Sequence, residues 1–124
     1  MGDGSLKVAT LDTLCGLLSP DQGTRHQAEE QVKALEVTDE FGVCLCELVL
    51  EEGQQLAVRQ LAAVMLKQYI DVHWSVDSDK FRPPETSGVA KQAIRNMLPM
   101  GLKESISKVR NTVAFSLAGE SKTL

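Results

Sequence analysis

Two histidines, three cysteines and seventeen acids are the groups with which this 124-residue chain could perform acid–base, nucleophilic or metal chemistry. His26 sits among Arg25, Gln27, Glu29 and Glu30, a stretch polar enough to face water, and His73 stands beside Trp74 at the end of an apolar segment. Neither has a Cys or Asp placed by local spacing to orient it, and solvated or helix-end histidines need no chemical role. Cys44 and Cys46, two residues apart, would point to nearly opposite sides of a helix and so make no metal knuckle. With Cys15 they have apolar neighbours and no local cation to generate a thiolate, so all three read as small buried hydrophobes. The chain has no phosphate-binding loop, no GxGxxG and no HExxH. A protein without catalytic residues, metal or cofactor is expected.

The groups left are charges at helical spacing. Arg25, Arg59, Lys67 and Arg110 fall on segments that read as the second, fourth and sixth helices, and form the candidate partner-binding strip. The simpler alternatives are a solvated strip, or arginines that only hold neighbouring helices together. Tyr69 and Trp74 close an apolar segment and read as core.

The elements that position these residues follow from apolar periodicity. Val8, Leu11, Leu14, Cys15 and Leu18 mark a first helix, stopped by Ser19-Pro20-Asp21. Ala28, Val32 and Leu35 form a thin stripe on a wet second helix, with Glu29 and Lys33 spaced to pair. Thr38, followed by Asp39 and Glu40, reads as the cap of a third helix, which carries Phe41, Cys44, Leu45, Leu48 and Val49 and closes at Gly53 in a left-handed turn. From Gln55 to Trp74 apolar residues cover most of the circumference, predicting a central helix with one wet strip along Arg59, Gln60, Ala63, Lys67 and Asp71. Residues 75–84 read as an exposed loop, and Pro83-Pro84 can open a fifth helix with rows Val89/Ala93/Met97 and Ala90/Ile94/Leu98. A sixth helix carries Leu102, Ile106, Val109, Val113 and Leu117, and residues 119–124 read as a frayed tail after a domain spanning 1–118.

Helices two, four and six open on related phrases, Thr24-Arg25-His26-Gln27-Ala28, Val58-Arg59-Gln60-Leu61-Ala62 and Val109-Arg110-Asn111-Thr112-Val113-Ala114. An early arginine followed by a small or aliphatic residue in each second helix predicts an all-α fold, an α-solenoid of about three HEAT-like antiparallel helix pairs. Composition agrees: 43% hydrophobic but only 4% aromatic suits helices packed through Leu, Val, Ile, Ala and Met rather than sheets. A net charge of −4 and a pI near 5.1 exclude a general nucleic-acid binder and leave basic proteins as natural partners. The odd cysteine count, the lack of a secretory leader and the lack of a membrane-length apolar run predict a soluble intracellular protein without membrane insertion.

Three stretches carry a resemblance. Leu17-Leu18-Ser19-Pro20-Asp21, then Arg25 to Gln31, then Val58-Arg59-Gln60-Leu61-Ala62 through Leu66-Lys67-Gln68-Tyr69-Ile70 with Trp74 following, resemble the N-terminal domain of the importin-β (karyopherin-β) nuclear transport receptors. The resemblance runs from about Leu6 to Ala114. Family members have many more HEAT repeats and continue the sixth helix differently from Phe115 onward, so the ending resembles a C-terminally truncated product. The resemblance implies binding of the GTPase Ran in its GTP form through the second helices, with Arg25, Glu29, Arg59, Lys67, Asp71 and Arg110 as exposed contacts, and basic cargo such as histones and ribosomal proteins held largely by the rest of such a receptor. It also implies residence in cytoplasm and nucleus, with no direct nucleic-acid binding. A general HEAT scaffold or truncated regulatory isoform without transport activity is the alternative.

Overall fold

A computed structural model of the chain describes residues 4–99. The expected sixth helix with Arg110, and the tail at 119–124, lie outside the described residues. Within them the elements are α1 (Gly4–Leu17), α2 (Gln22–Glu36), α3 (Phe41–Leu50), α4 (Leu56–His73) and α5 (Gly88–Met97), with no strand among the described residues. Short connections at 18–21 and 51–55 fold α1 onto α2 and α3 onto α4 as hairpins, and α3 packs on both α1 and α5. First helices therefore stack on first helices, as in a HEAT solenoid.

α3, rather than the longer α4, is the central helix. Phe41, Gly42, Cys44, Leu45, Cys46, Leu48 and Val49 are all buried, because α3 has neighbours on several sides. α4 is two-faced. Val58, Ala62, Ala63, Leu66, Tyr69 and Ile70 point inward, while Leu56 and Val64 are each 43% exposed. Its wet ridge runs along Gln60, Val64, Lys67 and Asp71, without the buried Arg59 and Ala63.

Close backbone approach fixes both hairpins. A Cβ on Gly16 would stand 2.9 Å from the Ala28 Cβ, so the small residues let α1 and α2 touch. A Cβ on Gly42 would stand 2.6 Å from Tyr69 Cε2, so α3 lies directly against the ring on α4. Tyr69 also meets Phe41 edge-on at 5.9 Å.

Several local expectations are corrected. α1 buries Thr10, Thr13 and Leu14, whereas Val8, Cys15 and Leu18 are exposed. The threonines tolerate burial because each hydroxyl donates back to a carbonyl four residues earlier, Thr10 to Leu6 and Thr13 to Ala9, both at 2.8 Å. Thr38 does not cap α3; its hydroxyl donates to the Leu35 carbonyl at 2.6 Å and closes α2. The residue before α3 is Glu40, which makes no side-chain capping bond. Gly53 takes no left-handed turn, since α3 already ends at Glu51 in extended backbone. α5 opens not at the prolines but at Ser87, whose hydroxyl accepts from the Ala90 N–H at 3.1 Å. Of its two rows Ala90, Ile94 and Leu98 are buried, while Val89 is 81% exposed.

Candidate protein-binding face

α2 and α4 lie beside each other and leave between them an open groove of about 670 Å³. Its floor is apolar, made by Leu17, Val32, Leu61 and Met65, and its rim is polar, with Glu29, Lys33, Glu36, Gln68 and Arg82. A thin apolar stripe on a polar helix produces this arrangement: α2 has only Ala28 fully buried, so most of its circumference stays available. Asp21 anchors the near end of α2 as its N-cap, accepting from the Thr24 N–H at 2.8 Å and the Thr24 hydroxyl at 2.7 Å, which together hold its carboxyl below the usual 3.8.

The candidate residues divide by position. Glu29 lines the groove, exposed and without hydrogen bond or ion pair among the described residues. Lys67 and Asp71 pair with each other at 3.1 Å on the adjoining ridge of α4. Arg25 is half-buried, and its guanidinium donates to the carbonyls of Ser19 at 3.0 Å and Pro20 at 3.2 Å. Arg59 is corrected outright: it is 3% exposed, and its Nε donates at 2.9 Å to the Val49 carbonyl near the end of α3. A cation there meets the negative end of the α3 dipole, which favours burial of this arginine over solvation. Arg25 and Arg59, equivalent in the repeat, each bond carbonyls where the preceding helix finishes. Arg110 lies outside the described residues. The expected Glu29–Lys33 pair is also replaced, because Lys33 bonds Glu30 at 2.8 Å.

Sequence reasoning missed a cluster at the far end of the groove. His73, read as an unremarkable helix-end histidine, is 1% exposed and meets Glu36, the last residue of α2, with Nε2 2.7 Å from Oε2. Arg82 donates to the same oxygen at 3.1 Å. Thirty-seven residues separate Glu36 from His73, so no local spacing could signal the pair. Thr86 lies below, its hydroxyl 3.2 Å from that of Tyr69 and 3.0 Å from the His73 carbonyl. Burial pushes the Tyr69 phenol up, outweighing the opposing pull of the Thr86 hydrogen bond. Trp74 is 1% exposed as expected, with Lys91 and Arg95 over its ring at 5.5 and 5.4 Å. Cys44 and Cys46 are buried as expected, whereas Cys15 is exposed. Among the described residues no three His, Cys, Asp or Glu side chains converge to hold a metal ion, and no helix is long and apolar enough to cross a membrane.

Residues 28–104 match the Importin-beta N-terminal domain family. The chain belongs to the importin-β family. It is 40% identical over 117 residues to importin-9 of Drosophila melanogaster, covering 92% of this chain and 12% of that protein. It is 30% identical over 101 residues to exportin-2 of Oreochromis niloticus, and 24% identical over 103 residues to the importin beta-like SAD2 homolog of Arabidopsis thaliana. Each of these alignments covers 79% of this chain and 10% of the relative, so the chain spans about a tenth of the proteins it matches. The importin-β relationship makes this a piece of nuclear-transport-receptor fold, with its paired helices and stacked first helices.

Proposed function

We propose that this chain forms the N-terminal part of a nuclear import receptor, binds Ran in its GTP form across α2 and α4, and contributes to moving basic protein cargo between cytoplasm and nucleus. The observation that supports this reading is the open α2–α4 groove, with Glu29 unpaired on its rim and the Lys67–Asp71 ridge beside it. Such a face combines an apolar floor for anchoring side chains with polar groups that select orientation. The chemistry of GTP belongs to the GTPase, and the receptor distinguishes its two conformations by shape. Arg25, at the start of α2, holds the α1–α2 connection through the Ser19 and Pro20 carbonyls, while Arg59 acts from beneath by holding the α3–α4 hairpin. Arg110, outside the described residues, belongs to the same proposal, and histones and ribosomal proteins are the cargo class.

Capture of Ran by the immobilised chain tests this reading, with Ran loaded in turn with a non-hydrolysable GTP analogue and with GDP. Nucleotide-dependent capture is expected. Double charge reversal, Glu29→Lys with Lys67→Glu, weakens it about tenfold, or about 1.4 kcal/mol, if these groups face the partner. Absence of capture in both nucleotide states would leave a HEAT scaffold that holds some other protein.

A further inference from the structure

The ring of His73 is enclosed at the end of α4, and each of its nitrogens faces an oxygen. Nδ1 is 2.9 Å from the Pro84 carbonyl and Nε2 is 2.7 Å from Glu36 Oε2. A neutral imidazole has one N–H and one lone pair, so either tautomer would aim a lone pair at an oxygen acceptor. In a site this buried that contact is repulsive and leaves a polar atom unsatisfied. Two closed hydrogen bonds require one more proton than a neutral ring beside a carboxylate holds. Arg82, donating to the same Glu36 oxygen at 3.1 Å, favours the ionised carboxylate and therefore assigns that proton to the ring.

The other groups around the ring do not replace it. On α4 itself the Tyr69 ring stands 5.0 Å away, with its hydroxyl against Thr86. On the α2–α3 turn the Asp39 carboxylate is taken by the Ser87 N–H and hydroxyl at 3.0 and 2.6 Å. From the start of α5, Lys91 pairs with Glu85 at 2.6 Å, and from α3 the uncharged Phe41 ring packs on Tyr69. The Glu36–His73 contact therefore ties the last residue of α2 to the last residue of α4, and Pro84 adds the connection between α4 and α5.

We propose that His73 is a positioning residue and a proton-dependent clasp: its doubly protonated ring holds α2 against α4 and sets the width of the groove between them. Loss of the ring proton leaves a lone pair facing either Glu36 or Pro84. The clasp opens, and the exposed Arg82 alone holds Glu36. The sign follows from the proton count. The clasp is made while both ring nitrogens carry hydrogen and is lost when either gives its hydrogen up. This inference is independent of which partner the groove accepts.

NMR of the 124-residue chain, with nitrogen-15 in the histidine rings and carbon-13 in the methionine methyls, tests the clasp as the pH is raised from about 5 to about 9. Both His73 nitrogens are expected to carry hydrogen on the acid side. The methyl of Met65, on the groove floor, is expected to shift together with the loss of hydrogen from a His73 ring nitrogen. Glu36→Gln and His73→Gln should each abolish the Met65 shift while leaving helix content by circular dichroism unchanged. Should His73→Gln unfold the chain, the near-isosteric Glu36→Gln and the wild-type spectra still decide. A His73 ring with one bare nitrogen at every pH, or a Met65 methyl that stays still when a ring nitrogen loses its hydrogen, overturns the proposal.

Discussion

Arg25 and Arg59 hold equivalent places in successive hairpins, and both direct N–H groups at backbone carbonyls, Arg59 at Val49 in the last turn of α3 and Arg25 at Ser19 and Pro20 in the connection after α1. Their repetition in sequence is thus a matter of hairpin geometry first. The two differ in burial, and the consequence is measurable. Arg59→Ala strands the buried Val49 carbonyl and is expected to lower unfolding free energy by about 1.5–3 kcal/mol in urea titration, since hydrogen bonds from charged donors lie in that range. Arg25→Ala, at a half-solvated site, is expected to cost less, and an equal or larger loss would contradict this assignment. Trp74 belongs to the same scale. Its full burial predicts that Trp74→Ala destabilises the chain by about 3–5 kcal/mol, and an unchanged thermal melt would contradict its place in the core.

Among the elements, α2 and the α3–α4 hairpin make the sharpest predictions. Asp21 caps α2 as a carboxylate with a depressed pKa, so its stabilisation is present above the ordinary value of 3.8 and is lost as the pH falls through its lower folded-state value. Asp21→Asn is therefore expected to lower Tm at neutral pH and to match the wild type in stronger acid. A constant difference across that range would assign the effect elsewhere. Gly42→Ala forces a methyl into the Tyr69 ring and is expected to cost about 1–3 kcal/mol, read as a lower urea midpoint with unchanged slope. These elements also mark what sequence reading can reach. The thin stripe of Ala28, Val32 and Leu35 and the two-pair pattern are legible because periodicity reports helix faces directly. The inward face of α1 is not, because Thr10 and Thr13 hide their polarity in their own backbone. The start of α5 is missed because two prolines outweigh Ser87 as a local signal, although Ser87 is the residue that meets both Ala90 and Asp39.

For the whole molecule, the match to the importin-β family spans residues 28–104, a stretch that includes the buried Ala28, Arg59, Tyr69 and Trp74. The proposed binding face is legible in the sequence only in outline. Glu29, Lys67 and Asp71 stand where helical spacing puts them, but the apolar floor of Leu61 and Met65 and the Glu36–His73 bridge arise from packing between residues distant in sequence. Their joint presence on α2 and α4 is the basis for assigning this face to a protein partner. Amide shift mapping of the isotopically labelled chain during titration with GTP-loaded Ran tests that assignment most directly. Perturbations concentrated on α2 and α4, at Glu29, Met65, Lys67 and Gln68, are the expected result, with GDP-loaded Ran leaving the same residues unmoved at equal concentration. Perturbations that fall instead on the exposed side of α5 around Val89, or that are identical for both nucleotide states, would contradict the account.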